Sequence, residues 1–342
     1  MTEALLDYTL FLAKTFTLVA AVAFLAVVLV NLSRRTREAE SLRVISLNAR
    51  LRQAADGLRQ ALLSKEARKR LVKQRKQEAK AAEGRKRQRV FVLDFRGDIR
   101  ASATASLREE VSAVLAVAEA GDEVLLRLEN AGGLVHEHGL AASQLVRIKE
   151  RGIPLTVAVD KVSASGGYLM ACVADRIVAA PFAIVGSIGV LAQVPNFRRL
   201  LDERGVTVEQ VKAGRYKRTV SMFGEVTEED RAKLREELED IHALFQAMVE
   251  KYRPALDLGR VATGEYWYGT RALELGLVDA LGTSDDLLTA RLEEADLWKV
   301  EWRGHRRLVE KLAAAMEEGR ARLMAAGWWR NWPRPWRKAV LG

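Results

Sequence analysis

From Val90 onward, short apolar runs alternate with amphipathic stretches. Val90–Phe95 (VFVLDF), Glu123–Leu128 (EVLLRL), Pro154–Val159 (PLTVAV) and Ile177–Ala180 are four to six residues long and rich in Val, Leu and Ile. Such runs mark strands buried on both faces. Between them, Ser106–Ala120, Val135–Arg151 and Gly166–Asp175 repeat apolar residues at helical spacing. Strand alternating with helix predicts an α/β domain with a largely parallel sheet. Thr227-Glu228-Glu229-Asp230 places acidic residues at the positive end of a helix that should run to about Lys251, ahead of Pro254. Gly269–Val278 and Ser284–Glu294 predict two shorter helices.

Two longer uncharged runs need separating. Leu10–Leu32 carries one charge, Lys14, near its start, where a long side chain can reach the interface. At 1.5 Å per residue it can cross a hydrocarbon core of about 30 Å. The start is acidic (Glu3, Asp7) and the run ends in Asn31-Leu32-Ser33-Arg34-Arg35, so an uncleaved anchor fits better than a cleaved signal peptide. Arg34, Arg35, Arg37, Arg43, Arg50 and Arg52 follow the span, which predicts a body on the cytoplasmic side. Ile177–Val194 is also uncharged, but Pro181, Gly186, Ser187 and Gly189 divide it. Two buried strands joined by a turn are expected there.

Leu42–Ala81 is rich in Ala, Leu, Arg, Lys and Gln and reads as helix, with Gly57 its weak point. The chain of 342 residues has 55 Lys and Arg against 45 Asp and Glu, a net +10. Lys65–Arg89 alone holds 12 Lys and Arg against three Glu. The basicity therefore belongs to a stalk, suited to anionic headgroups or to solvation, and no nucleic-acid surface is expected. One cysteine, Cys172, excludes an intramolecular disulfide and a Cys-rich zinc site, and four scattered histidines leave little for a metal cluster. Trp328, Trp329, Trp332 and Trp336, interleaved with Arg330, Arg334, Arg337 and Lys338, suit a lipid–water interface, with a polypeptide-binding or oligomer contact as the alternative. The expected division is an anchor (1–33), a basic stalk (34–89), a globular domain (90–297) and a helical, Trp/Arg-rich tail (298–342).

Three glycine-marked turns fall where strands should end: Glu129-Asn130-Ala131-Gly132-Gly133, Ser163-Ala164-Ser165-Gly166-Gly167 and Gly186-Ser187-Ile188-Gly189. In α/β sheets ligands bind beyond the carboxyl ends of the strands. Paired glycines let backbone N–H groups face a ligand, and two such groups make an oxyanion hole. Together the turns point to acyl transfer, with Ser165 ahead of a helix start. A serine nucleophile needs a base. His136 and His138 sit two apart on a helix and face differently, so a surface or subunit-contact role is expected of them. Lys212 and Lys217 lie after an expected short strand, around Gly214, and a lysine serves only where burial lowers its pKa. Asp160 and Asp175 read as structural partners, Cys172 as a packed thiol and Tyr266–Tyr268 as core.

GLAASQL (139–145), PLTVAVDKVSASGGYLMACVAD (154–175), APFAIVGSIGV (180–190), AGRYKRT (213–219) and ATGEYWYG with GLVD (262–269, 276–279) resemble the S49 serine peptidases, the signal peptide peptidase A family. FLAK (11–14) and QEAKAA (77–82) extend the resemblance over nearly the whole chain. The resemblance implies a ClpP/crotonase-like fold and a Ser-Lys dyad of Ser165 and Lys217. It also implies an orienting hydroxyl at Ser187 and an oxyanion hole from Gly166 with Gly132 or Gly133. No metal or cofactor is required. It further implies a ring-like homo-oligomer acting on membrane-derived or misfolded polypeptides. The family's usual Ser-Pro-Gly-Gly turn reads Asn130-Ala131-Gly132-Gly133 here, and loss of the proline should loosen it. The alternatives are a crotonase-type acyl-CoA enzyme and a membrane scaffold on a lapsed protease fold.

Overall fold

The computed structural model describes residues 10–11, 14–20, 41–64, 66–67, 69–70, 73 and 87–303. Two compact units result, one of residues 42–302 and one of the terminal segments 1–41 and 303–342. In the terminal unit, residues 10–11 and 14–20 are helical and exposed. No helix among the described residues is long and apolar enough to cross a membrane. The expected span Leu10–Leu32 lies mostly outside them, as does most of the basic run; of the expected helical tail 298–342, residues 298–303 are strand rather than helix, and the rest, with its four tryptophans, lies outside.

The body holds a seven-stranded sheet in the order β1 (Ser41–Ser46), β10 (Ala295–Arg303), β2 (Gln88–Arg96), β3 (Glu123–Glu129), β4 (Leu155–Val159), β6 (Arg176–Ala179) and β9 (Ala280–Leu281). From β10 to β9 every pairing is parallel. A three-stranded sheet follows the order β5 (Val162–Ala164), β7 (Ile184–Gly186) and β8 (Tyr266–Tyr268). Period-two alternation sorts the large sheet's side chains to two faces. Phe91, Leu93, Phe95, Leu126, Leu128, Leu155, Val157 and Val159 pack with α2 (Thr104–Val117), α3 (Val135–Glu150) and α4 (Gly166–Ala171). Val90, Val92, Leu125, Ala158 and Leu297 pack with Leu47 of α1 (Leu47–Leu62) and Leu288 of α9 (Ser284–Arg291). Helices on both faces explain why the strands are apolar throughout.

Sequence expectation and structure part at several places. The run Leu42–Ala81 does not start as helix: Ser41–Ser46 is an edge strand. Ser46 then caps α1 by accepting the Ala49 N–H at 3.2 Å. Buried Asn48 fixes this junction, donating to Leu292 and Ala295 carbonyls at 3.0 and 2.9 Å and accepting the Leu297 N–H at 2.6 Å. Ile177–Val194 does form strands, but β6 and β7 belong to different sheets. No strand precedes Lys212: residues 206–213 are irregular and exposed. Helix α6 (Glu228–Tyr252) starts as its acidic first turn predicts, with Thr227 and Asp230 capping each other. Among residues 87–303 the remaining helices are α5 (Arg198–Asp202), α7 (Leu258–Val261) and α8 (Gly269–Glu274).

Candidate active site

The three glycine turns converge beyond the carboxyl ends of β3 and β4. Asn130, just past β3, bridges to Ser163 of β5, with Asn130 N–H donating to Val162 O at 2.9 Å and Ala164 N–H to Asn130 O at 3.0 Å. The next turn is tied on by Ser165 N–H, which donates to Gly186 O at 2.8 Å. Ser187 N–H donates in turn to Glu265 O at 2.6 Å.

The glycines are dictated by crowding. A Cβ on Gly167 would lie 2.1 Å from the Asn130 carbonyl oxygen, and one on Gly166 would lie 2.5 Å from His138 Cγ. A Cβ on Gly132 would lie 2.8 Å from both the Gly166 nitrogen and Ser165 Cβ. The first and second turns therefore touch with no room for a side chain on either glycine. Gly132 sits at φ 89° and its N–H donates to Asn130 Oδ1 at 2.9 Å. Gly133 is exposed, and among the described residues its N–H has no partner. Gly166 heads α4, where the first N–H groups have no intrahelical acceptor.

Ser165 is half-buried between β5 and α4 at φ 51°, ψ −121°. A non-glycine residue there stores strain, and the sharp strand-to-helix turn lifts its hydroxyl out of the sheet. Ser187, half-buried beside it, also has positive φ, 54°. His242 of α6 approaches the same turn, its Nε2 3.3 Å from Ile188 O. No local pattern signals that contact, because 54 residues separate the partners.

Lys217 is not brought to this cluster. It is exposed, its backbone N–H donates to Gly214 O at 3.2 Å, and no hydrogen bond joins its Nζ to Ser165 or Ser187. Lys212 Nζ donates to Arg218 O at 3.3 Å within the same irregular segment. Away from the cluster, at the amino end of β4, Asp175 accepts Leu155 N–H at 2.8 Å and pairs with Lys149, while Asp160, just past the carboxyl end of β4, accepts both Ser284 N–H and its hydroxyl. Burial pushes the Cys172 thiol up to about 12, so it packs rather than reacts. Two expectations fail. His138 is fully buried rather than a surface residue, whereas His136 is exposed. Tyr266 and Tyr268 are exposed, and only Trp267 packs inward, against Gly186.

Two family models match the chain: Peptidase family S49 N-terminal over residues 3–145 and Peptidase family S49 over residues 147–298. A relative named "Probable protease SohB" from Haemophilus influenzae is 54% identical over 236 residues, covering 69% of this chain and 67% of the relative. Its namesake from Buchnera aphidicola subsp. Schlechtendalia chinensis is 42% identical, covering 84% of this chain and all of the relative. Among solved structures, the ClpP protease catalytic domain of Plasmodium falciparum aligns at 8% identity over 56% of this chain and 86% of its own, with a TM-score of 0.36. With both halves matched and the relatives covered at this identity, the chain belongs to peptidase family S49.

Proposed function

We propose that the chain is a membrane-anchored serine endopeptidase in which Ser165 is the nucleophile and Lys217 the base. The observation that carries this reading is the backbone contact of the first two turns. Gly132 abuts the Gly166 nitrogen and Ser165 Cβ, so the first turn lies against the residue that bears the strained, half-buried hydroxyl. Lys217 takes the Ser165 proton as Oγ bonds to a peptide carbonyl carbon. The Gly133 and Gly166 N–H groups hold the oxyanion, and such a pair is typically worth about 3 kcal/mol in the transition state. The C–N bond then breaks, Lys217 returns the proton to the leaving amine, and water repeats the sequence to release Ser165. Ser187 orients the lysine amine. No step calls on a metal or cofactor.

An ammonium cannot accept a proton, and a lysine serves as base only where burial disfavours its charge. The proposal therefore includes closure of the segment around Lys217 onto Ser165. That segment exposes Leu191, Val194, Phe197, Leu200, Val206, Val208 and Val211, an apolar surface suited to a second copy of the chain in a ring. Leu10–Leu32 supplies the anchor. The arginines that follow it put the body on the cytoplasmic side, with membrane-derived or misfolded polypeptides as substrates. Family membership also implies the ClpP/crotonase-type architecture, which a parallel sheet with glycine turns at its carboxyl ends suits.

The test is fluorophosphonate labelling and casein hydrolysis by the full chain in membranes. Wild type should label at Ser165, Ser165→Ala should lose both signals, and Lys217→Ala should lose at least a hundredfold in rate, on the order expected for a missing general base. Hydrolysis that persists in both variants overturns the assignment. Wild type inert in both assays would favour a lapsed scaffold.

A further inference from the structure

Two buried polar side chains stand directly behind the proposed oxyanion hole and take no part in the chemistry above. Asn130 is 1% exposed and His138 is fully buried. Asn130 Oδ1 accepts the Gly132 N–H at 2.9 Å and lies 3.2 Å from His138 Nε2, while its Nδ2 lies 3.3 Å from Met170 Sδ on α4. A Cβ on Gly97 would fall 2.4 Å from Asn130 Cγ, so the chain leaving β2 closes over the amide. His138 Nδ1 lies 3.0 Å from Leu134 O, and its ring occupies the space a side chain on Gly166 would need. The Gly132 N–H can only donate, so the amide atom it meets is oxygen. Leu134 O and Asn130 Oδ1 both only accept, so a neutral imidazole donates to one of them, and the bond to the amide is the one made by the Nε2–H tautomer.

We propose that Asn130 and His138 are a pair of positioning residues that set Gly133 against Gly166, so that both N–H groups converge on one oxyanion. The inference rests on the peptidase reading of this site. Ala131 cannot fix φ as proline does, and two adjacent glycines leave a turn conformationally wide. The Asn130–Gly132 bond removes that freedom, and His138 keeps the carboxamide from rotating. By occupying the Gly132 N–H, Asn130 also settles that Gly133 is the donor left for the oxyanion. His138 spans the two halves of the hole: it bonds the carboxamide that holds one and packs against the glycine that provides the other. A group that aligns donors acts on the transition state, so its loss lowers kcat and leaves KM.

The test compares His138→Leu, His138→Gln and Asn130→Ala in the full chain with wild type. His138→Gln keeps an N–H donor, whereas His138→Leu keeps bulk without one. His138→Leu and Asn130→Ala should each lose roughly 30-fold in kcat with KM within about twofold, as for a misplaced oxyanion donor. A peptide boronate should bind them more weakly by a similar factor, and His138→Gln should stay within about threefold of wild type on both measures. Amide hydrogen exchange of residues 131–134, which needs no activity, should run about tenfold faster in His138→Leu and Asn130→Ala than in wild type or His138→Gln. Unchanged exchange in both variants overturns the proposal. So does a His138→Gln protein as impaired as His138→Leu, since bulk rather than the hydrogen bond would then matter. If wild-type Ser165 fails to label, the peptidase reading fails alone, and exchange still decides the clamp.

Discussion

At the residue scale, Ser165 combines a position that the sequence predicts with a backbone state that it does not reveal. Its φ of 51° and ψ of −121° suit glycine far better than serine. Such a conformation costs about 1–3 kcal/mol. Replacing the serine by alanine removes the hydroxyl and keeps the strain, whereas glycine removes both. Ser165→Gly should therefore unfold with a free energy about 1 kcal/mol above that of Ser165→Ala, after allowing for glycine's freer unfolded chain. Neither variant should hydrolyse peptide. Denaturant unfolding of the two variants measures the difference, and equal stability would mean that the turn is relaxed around the serine. The neighbouring glycines were legible as a motif because Gly-Gly needs no context to recognise. Asn130 and His138 were not, because their pairing crosses a turn and depends on burial that a sequence of isolated polar residues does not disclose.

At the element scale, the joint between α2 and β10 carries a pH-dependent contact. Glu110, 5% exposed, accepts the Trp302 N–H at 2.8 Å. Burial, reinforced by Asp94 and Glu301 and opposed by the Trp302 N–H and Lys299, pushes its carboxyl up to about 7 from an ordinary 4.5. Between those values the folded chain holds a proton that the unfolded chain has released. Stability must therefore fall as pH rises through the window and level off above about 7. Glu110→Gln keeps an oxygen for Trp302 and cannot ionise. It should be more stable than wild type at pH 8 by on the order of 2 kcal/mol, with the difference vanishing near pH 4.5. A pH-independent difference would show that Glu110 does not titrate there. The central strands were legible because each is apolar on both faces. Edge strand β1 was not, since Ser41–Ser46 is half polar and exposed and owes its strand state to its neighbour in the sheet. Val206–Val211 misled in the opposite sense: it has β-branched residues but no strand to pair with.

At the scale of the whole molecule, the proposed catalysis needs an exposed lysine to reach a half-buried serine. The segment bearing Lys217 has almost no regular structure from Leu191 to Gly224 apart from α5. It nevertheless carries apolar side chains that water surrounds in the single chain: Val211 is 96% exposed and Leu191 82%. Burying one such side chain is worth about 1.5–3 kcal/mol, so a second copy packed there would both order the segment and remove water from the lysine. Val211 is almost fully exposed in the single chain, so Val211→Asp should leave the unfolding free energy of dissociated chains within about 0.5 kcal/mol of wild type, as for ordinary surface changes. In sedimentation it should move the protein from oligomer towards monomer. Peptide hydrolysis should fall in step, and raising the protein concentration should restore part of it by mass action. If the wild type sediments as a monomer at full activity, the segment must close within one chain. Activity lost in Val211→Asp without any change in sedimentation would place Val211 against Ser165 of its own chain.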